Sequence, residues 1–552
     1  MRGLFSFLIF AIPLMSLASP ATKSGYAIDT DKLCDGFPQI SVGTLDTLCV
    51  GLIASKEDGL KMPRYATQGR DNIIYVTDMG GWAFNRGTVW AYYSSTQPDG
   101  RVQNNLVNLF PTKKLTMPNG IATDPEGRLY VGTPTGIIRF QPRDINTGKF
   151  IFDPEQEVIV NQFAQSIFRK DEYTSASAFN SMDAKYKNKH PLIQFTINKD
   201  FTEMYFNVGA PSNDCSRGLK TVDSQGKCIQ SESPLASAAV WKVEFSKDST
   251  RKVLKVEPYA RGLRNSMALA LHPQSNILLQ GENGIDLPDE DRPYEEINLL
   301  EQGKHYGWPY CHSRGEVSPA FQGKIAASDC SKKFQVPLIF MPAHSAPLGM
   351  MYYQGTRLAP LKDKLIVGWH GYVKAGHRVV SYSVDQRGLP TSNKYEEVIF
   401  NWDPQAGVRP LGAPTGLTEL NDGSILVLDD KNGALLRLST GRNSDVKEDN
   451  KKGHSTEITE SMIRSFEPLL PFVQKNCVMC HQSFAKGSTQ EILEDMKNSM
   501  LNMASPTESK FYQKLKSKEM PPDFMRAQLK FTDEEFKAME PLLEDFIRTL
   551  KP

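Results

Sequence analysis

The feature that most constrains the fold is a degenerate unit that recurs between about residues 55 and 440 of the 552-residue chain. Each copy has an alternating apolar strand, a polar turn with Gly, Asp or Asn, a second apolar strand and a Gly-containing loop. The six copies occupy residues 65–81, 120–140, 193–210, 267–284, 350–371 and 416–438. A blade of four strands cannot bury both faces alone, so such blades stack around an axis. The repeat therefore predicts a six-bladed β-propeller.

The spacing between copies is irregular, which requires large inserted loops. In a propeller, such loops build the site on one rim. The content of 40 Gly and 35 Pro also favours many short strands with frequent turns. A β-sandwich with insertions is the alternative fold, but it leaves the recurring hairpins unexplained.

The charge balance excludes one class of function. Lys and Arg number 64 and Asp and Glu 63, so the formal net charge is +1. A dedicated nucleic-acid binder normally carries a basic excess. We therefore expect no nucleic-acid partner.

The first residues predict export. A short basic start precedes an apolar run over 3–16, and small residues follow it at the cleavage positions. An uncleaved anchor helix is the alternative, but the run is short and Pro13 interrupts it. We interpret 1–18 as a signal peptide of a periplasmic or secreted protein, and no later stretch has the length and apolarity of a transmembrane segment.

Six of the eight cysteines form pairs that are close in sequence. In an oxidising compartment the simplest interpretation is three local disulfides, although spacing alone does not prove connectivity. The pairs are Cys34 with Cys49, Cys215 with Cys228, and Cys311 with Cys330.

The last two cysteines belong to a different motif, C-x-x-C-H, formed by Cys477, Cys480 and His481. Two thiols at this spacing can add to the vinyl groups of one haem while the adjacent His binds the iron. A redox-active or structural disulfide is the alternative. Export, helical patterns around the motif and a downstream Met520 in a Pro-stopped loop favour the haem. We expect Met520 as the sixth ligand.

Three other methionines follow a helical spacing, and such a stripe is typical of a core: Met496, Met500 and Met503. Residues 455–552 resemble a small class I cytochrome c domain, on the basis of the haem motif and the KEMPP run at 518–522. The polar segment 441–455 predicts a linker. The expected architecture is mainly β, a propeller over 19–440, followed by a small all-α domain over 456–552.

Several motifs in the repeat region carry a second resemblance. They are ARGLRN at 260–265, EEINLL at 295–300 and YGWP at 306–309. With these motifs, residues 60–440 resemble the glucose/sorbosone dehydrogenase family, six-bladed propellers that use pyrroloquinoline quinone (PQQ). The resemblance implies oxidation of a sugar or sugar-like alcohol with PQQ and Ca²⁺ as cofactors.

The resemblance also implies roles for individual residues. His190 corresponds to the catalytic base, and a neutral imidazole suits proton abstraction from a hydroxyl. Arg264 and Asn265 would contact the cofactor, Arg264 with a catalytic role as well. Gly284 and Ile285 stand where the family offers backbone carbonyls to calcium, as hard cations prefer. The acidic run 286–296 is either a second calcium site or a solvated loop.

Further cofactor contacts are implied in the later blades. His344 and His370 lie in family-matched loops, and His370, Arg378 and Arg409 are candidate contacts to the quinone. Lys374 is an alternative cation.

The complete prediction is a quinohaemoprotein that passes electrons from PQQ to haem c and then to a soluble or membrane electron acceptor. Substrate selection is expected in the inserted loops 163–189 and 310–333. The residues that follow His190 differ from the Thr-Arg pair common in relatives, which leaves open a propeller that is a binding module without PQQ, with the haem alone serving electron transfer. A calcium-dependent propeller lactonase is a third alternative.

Overall fold

The computed structural model describes residues 22–69, 72–96, 102–143, 151–161, 189–215, 222–371, 373–440, 458, 460–476, 488–499, 501, 506–516 and 533–550. The chain forms two compact units, Met1–Asn443 and Ser444–Pro552. Each unit is considered by itself.

Six short strands begin the first unit; the first two pair with each other, and the other four join the sheets of later blades. They are β1 (Thr22–Lys23), β2 (Tyr26–Ala27), β3 (Asp29–Cys34), β4 (Phe37–Gln39), β5 (Gly43–Thr44) and β6 (Leu48–Ala54).

Three antiparallel blades follow in chain order. Blade 1 contains β7 (Pro63–Gln68), β8 (Ile74–Asp78), β9 (Thr88–Thr96) and β10 (Val102–Asn108). Blade 2 contains β11 (Ile121–Thr123), β12 (Leu129–Thr133), β13 (Gly136–Arg143) and β14 (Ile151–Val160). Blade 3 contains β15 (Phe195–Ile197), β16 (Glu203–Val208), β17 (Ala239–Phe245) and β18 (Val253–Arg261), with helix α1 (Ile229–Glu232) between its second and third strands.

Blade 4 contains β19 (Ala268–Leu271), β20 (Leu278–Glu282), β21 (Glu295–Leu300) and, after a long insertion, β25 (Ile339–Met341). The insertion holds β22 (Lys304–His305), β23 (Cys311–His312), β24 (Glu316–Val317) and α2 (Ala327–Lys333), and β22 pairs in parallel with β18 of blade 3. Blade 5 contains β26 (Pro347–Tyr352), β27 (Lys364–Trp369), β28 (Arg378–Ser383) and β29 (Glu396–Phe400), with β5 at its edge.

Blade 6 joins the two ends of the first unit. Its strands β30 (Pro414–Glu419), β31 (Ile425–Asp429) and β32 (Ala434–Thr440) are completed by β6, and β4 and β3 extend the same sheet. The pairing of a late strand with an early one closes the ring, which removes the sheet edge that an open array would leave.

The six sequence repeats are confirmed as the first two strands of the six blades. Strand periodicity explains the packing, because alternate side chains point to opposite faces of a sheet. In β31, Ile425 and Val427 pack in the core between blades 5 and 6, whereas Leu426 and Leu428 pack between blades 6 and 1. Both faces of a blade are therefore apolar, and each hydrophobic core lies between neighbouring blades.

The three predicted disulfides are confirmed. Cys34 bonds Cys49, Cys215 bonds Cys228, and Cys311 bonds Cys330. The last two bridges lie in one apolar cluster under the inserted loops, together with the indole of Trp308.

The second unit is helical in its described parts. It contains α3 (Glu460–Phe466), α4 (Leu470–Asn476), α5 (Thr489–Ser499), α6 (Lys510–Lys516) and α7 (Asp533–Thr549). Their apolar faces form one core, in which Met496 is buried as the helical spacing predicts. No helix in the described part of the chain combines the length and the apolarity needed to cross a membrane.

The haem motif and the predicted sixth ligand lie outside the described residues: Cys477, Cys480, His481 and Met520. The predicted signal peptide 1–18 and linker 441–455 lie there as well. The cytochrome c assignment therefore remains a prediction from the sequence.

Candidate functional site

The blade geometry brings distant residues to one rim of the ring. The first strand of a blade runs away from this rim and the second returns to it, so residues before the first strand and after the second lie side by side. Two adjoining cavities open here, with volumes of about 310 Å³ and about 610 Å³. We call the smaller one the axial cavity, because it is lined by residues that precede the first, innermost strands of several blades. We call the larger one the lateral cavity. Lys189, His190 and Asn265 line both.

His190 lies just before blade 3, in the wall shared by the two cavities. Its Nδ1 lies 2.5 Å from the carbonyl oxygen of Ala210, a contact that requires Nδ1 to carry the proton. Nε2 is then the basic nitrogen of the neutral ring. Burial lowers the pKa of His190 well below its ordinary value, and the nearby charge of Arg264 lowers it further. A neutral imidazole near pH 7 follows.

Arg264 and Asn265 follow β18 in the lateral wall, as the sequence motif predicts. The Arg264 guanidinium donates to Asn213 Oδ1 at 2.8 Å and to Asp286 Oδ2 at 2.6 Å. Its Nε is buried without a hydrogen-bond partner among the described residues, and so is Oδ1 of Asn265. Buried polar atoms are normally paired, so these two point to a polar ligand in the cavity.

Three buried carboxyl groups lie behind this wall. Burial raises the pKa of Glu282 to about 8, that of Glu295 to about 7 and that of Glu296 to about 8. Glu282 Oε2 accepts from Gln280 at 2.6 Å, and the amide of Asn298 donates to Gln280 Oε1 at 3.0 Å. Burial outweighs the opposing effects, which are the charge of Arg264 and the hydrogen bonds from backbone and amide N–H groups, so the pKa of each group is raised. We call this set the carboxyl cluster.

A different charged group lines the axial cavity. Asp430, after β31, pairs with the guanidinium of Arg64 and accepts from His370 Nε2 at 2.9 Å. All three side chains are buried. Burial alone would raise the pKa of Asp430, but the charge of Arg64 and the contacts to His370 outweigh it and hold the pKa below its ordinary value. We call these residues the ion-pair cluster.

Of the two predicted calcium ligands, Gly284 lies in the lateral wall and Ile285 does not. Gly284 lines the cavity and its N–H donates to Glu295 Oε2 at 2.6 Å, while the Ile285 side chain is buried beside it. The acidic run 286–296 is not simply a solvated loop, because it starts exposed but ends with Glu295 and Glu296 buried. Within the described ranges, no group of three His, Cys, Asp or Glu side chains is arranged to hold a metal ion.

Three of the predicted cations do not line either cavity. Arg378 pairs with Glu397 and donates to the carbonyl of Lys374, whose own side chain is exposed. Arg409 donates to the carbonyls of Asp403 and Ser41. The guanidinium of Arg378 therefore forms bonds within blade 5, and that of Arg409 forms bonds in the loop before blade 6. Of the predicted later contacts, His344 lines the lateral cavity and His370 the axial one.

Sequence reasoning missed Arg64, Asp430, Lys431 and Trp82, which all line the axial cavity. A signal for them exists in the repeat. Arg64 lies at the start of the first strand of a blade, and Trp82, Asp430 and Lys431 follow the second strand of a blade. Both positions lie at the rim where these two strand ends meet.

Comparisons with known proteins find similarity to one family over part of the chain. Residues 170–437 match the model of the Glucose / Sorbosone dehydrogenase family. An uncharacterized protein of Borreliella burgdorferi is 25% identical over 352 residues, which are 60% of this chain and 88% of that protein. An aldose sugar dehydrogenase of Escherichia coli is 29% identical over 118 residues, 21% of this chain and 29% of that protein.

A solved structure shares the fold. It is the holo form of the PQQ domain of a pyranose dehydrogenase from Coprinopsis cinerea, with a TM-score of 0.54 and 16% identity. The alignment covers 74% of this chain and 99% of that domain.

Proposed function

Because residues 170–437 match the glucose/sorbosone dehydrogenase family, we propose that the propeller oxidises an aldose or sugar-like alcohol with PQQ and Ca²⁺. One observation carries the proposal. Arg264 Nε and Asn265 Oδ1 are buried without partners among the described residues, in a cavity wall that adjoins His190. A cofactor with carboxylate and carbonyl oxygens could pair with the guanidinium.

The residues around the lateral cavity fit a planar, anionic quinone. Arg264 and Lys189 supply positive charge, and Asn265 supplies an amide. The same lining also holds carboxylates whose negative charge a bound Ca²⁺ would offset, those of Asp286, Asp289, Glu290 and Glu295. The backbone carbonyls of Gly284 and Ile285 are the candidate oxygen ligands for Ca²⁺. The quinone, when bound, accepts the two electrons removed from the substrate carbon.

His190 is the base in this proposal. Its Nδ1–H is held by the Ala210 carbonyl, so Nε2 takes the hydroxyl proton of the substrate. The lowered pKa keeps this nitrogen unprotonated near pH 7. The positive charge of Arg264, close enough to lower that pKa, also favours a negatively charged ligand in the adjoining cavity.

The second unit completes the proposed electron path. Cys477 and Cys480 would attach a haem c, with His481 and Met520 as iron ligands. Tethering keeps donor and acceptor at high effective concentration, and an external acceptor would receive the electrons. The apolar N-terminal run supports export to the periplasm or the medium.

The test is reconstitution of the full-length protein with PQQ and CaCl₂, followed by a panel of aldoses and polyols. The expected result is reduction of the haem absorption band, or of an added dye, by at least one sugar. Haem retained through denaturing electrophoresis, and lost when both Cys477 and Cys480 are replaced by Ser, would support covalent attachment. No reduction of band or dye by any substrate contradicts the enzymatic proposal. Absence of bound quinone by mass spectrometry would instead favour a ligand-binding module.

A variant pair sharpens the test of the cofactor wall. Arg264→Lys replaces a planar fork of donors with a point charge, so the quinone dissociation constant should rise by about 10- to 100-fold. Arg387→Lys is the matched control, because Arg387 is exposed and lines neither cavity. Equal quinone affinity in both variants would contradict the assignment of Arg264.

A further inference from the structure

Trp82 is the most exposed tryptophan of the described residues. Its relative exposure is 55%, whereas Trp241, Trp369 and Trp402 are almost completely buried. All six tryptophans lie within the described residues, and the remaining two are buried or half-buried. An indole left in water forgoes a large hydrophobic contribution to folding, so its exposure in a cavity suggests a ligand that covers it.

The loop that presents Trp82 is firmly held. It follows β8 through Gly80, whose φ of +68° favours glycine and whose Cβ, if present, would lie 2.2 Å from the Arg86 carbonyl oxygen. At its far end Gly87 and Leu115 exchange two backbone hydrogen bonds of 2.9 Å. The indole is thus carried on a preformed support, which lowers the entropic cost of binding.

The surroundings of Trp82 combine an apolar surface with charged groups. Trp82 lines the axial cavity with His190, and Lys189, Lys431 and Asp430 line it as well. A pyranose has the complementary character, with a C–H face that packs on an aromatic ring and hydroxyls that pair with charged groups.

We propose that the indole of Trp82 is the platform on which the ring of a pyranose substrate packs while His190 Nε2 accepts the proton of the oxidised hydroxyl. This inference rests on the proposed function and narrows its substrate class. A cyclic sugar offers a continuous C–H face to the indole, and an acyclic alditol does not. The site should therefore select pyranoses over polyols.

The test compares Trp82→Ala and Trp82→Phe with wild type, in full-length protein loaded with PQQ and CaCl₂, using dye reduction. For a hexopyranose, Trp82→Ala should raise KM by about 3- to 10-fold with little change in kcat, and Trp82→Phe should raise it less. For an alditol such as sorbitol, KM should not change. Leu254→Ala is the control, because Leu254 is 64% exposed and lines neither cavity.

Three results would overturn the inference. KM for pyranoses could be unchanged in Trp82→Ala, or it could rise equally for pyranoses and alditols. Alternatively, titration could show that the variant has lost quinone affinity, which would assign the indole to the cofactor.

A second measurement does not depend on turnover. In quinone-free protein, a hexopyranose should change the tryptophan emission saturably in wild type and in Leu254→Ala but not in Trp82→Phe. An equal change in Trp82→Phe, or no change in wild type, contradicts the platform. If wild type reduced no dye with any sugar but still showed the emission change, the enzymatic proposal would be contradicted and the Trp82 platform would not.

Discussion

Two buried acidic clusters on the same rim behave in opposite ways. In the ion-pair cluster, Asp430 lies against Arg64 and His370, and its pKa is held below the ordinary value. In the carboxyl cluster, Glu282 and Glu296 lie among neutral amides, and burial raises the pKa of each to about 8. Burial is similar in both, but Asp430 bonds the side chains of Arg64 and His370 directly, whereas the guanidinium of Arg264 is only near Glu282 and does not pair with it. One cluster is a fixed pair of charges, and the other holds protons that can leave near neutral pH.

The largest expected effect concerns His190, which stands in the wall between the two cavities. His190→Gln should lower kcat by about 10²- to 10⁴-fold with unchanged quinone affinity, because the amide cannot take the substrate proton. In wild type the acid limb of kcat/KM should lie below pH ~6.5, the ordinary imidazole value, since the pKa of His190 is lowered. Steady-state kinetics across pH checks both. A loss in kcat smaller than tenfold, or an acid limb above pH ~6.5, would remove His190 as the base.

The next effect tests the ion-pair cluster. Asp430→Asn leaves the Arg64 charge buried without a counter-charge and should lower the free energy of unfolding by about 3–5 kcal/mol. The double variant Arg64→Met with Asp430→Leu leaves no charge behind and should recover most of that loss. Urea denaturation followed by tryptophan emission reports on this unit alone, because all six tryptophans lie before residue 443. A single variant as stable as wild type would show that the pair is not energetically coupled.

A smaller effect tests the carboxyl cluster. A carboxyl whose pKa is raised in the folded state binds its proton more tightly there than in the unfolded chain. Stability is then greatest at low pH and falls as pH rises from ~4.5 to about 8. Asp430 contributes in the opposite sense, since its stabilisation is lost only in acid.

Glutamine variants separate the two contributions. Glu282→Gln or Glu296→Gln should flatten the decline between pH 5 and 8, measured by urea denaturation with EDTA present to remove Ca²⁺. Glu290→Gln is the control, because Glu290 is exposed. A slope that stays at the wild-type value in both buried variants would mean that these groups are ionised throughout.

The smallest effect concerns the second arginine pair. Arg264 bonds Asp286 at 2.6 Å, but the Asp286 side chain is 69% exposed. Water and salt screen such a pair, so Asp286→Asn should cost only about 0.2–1 kcal/mol in the same urea assay. If Asp286→Asn lowered the free energy of unfolding as much as Asp430→Asn does, exposure would not explain the difference between the two ion pairs.

The prediction from sequence succeeded where local pattern sets structure. Alternating apolar residues located all six hairpins, and short spacing paired six cysteines. The structure brings His190, Arg264 and Asn265 to one wall, and their roles toward a cofactor stay predictions. The resemblance made Arg378 and Arg409 candidate cofactor contacts. In the structure their guanidinium groups bond Glu397 and the Asp403 carbonyl, and the cofactor contact stays a prediction. The local sequence around a charged side chain does not specify which hydrogen-bond acceptor the side chain will contact in the folded protein.

The sequence by itself determined the number of blades, the faces that each strand buries and the bridges between nearby cysteines, because all three depend on spacing along the chain. Only the tertiary structure decided which charges meet. Closing the ring brings Arg64 to Asp430 across 366 residues of sequence. Folding also places Glu282 and Glu296 where burial raises their pKa. Solvation and charge pairing depend on neighbours in space, and no period in the sequence encodes them.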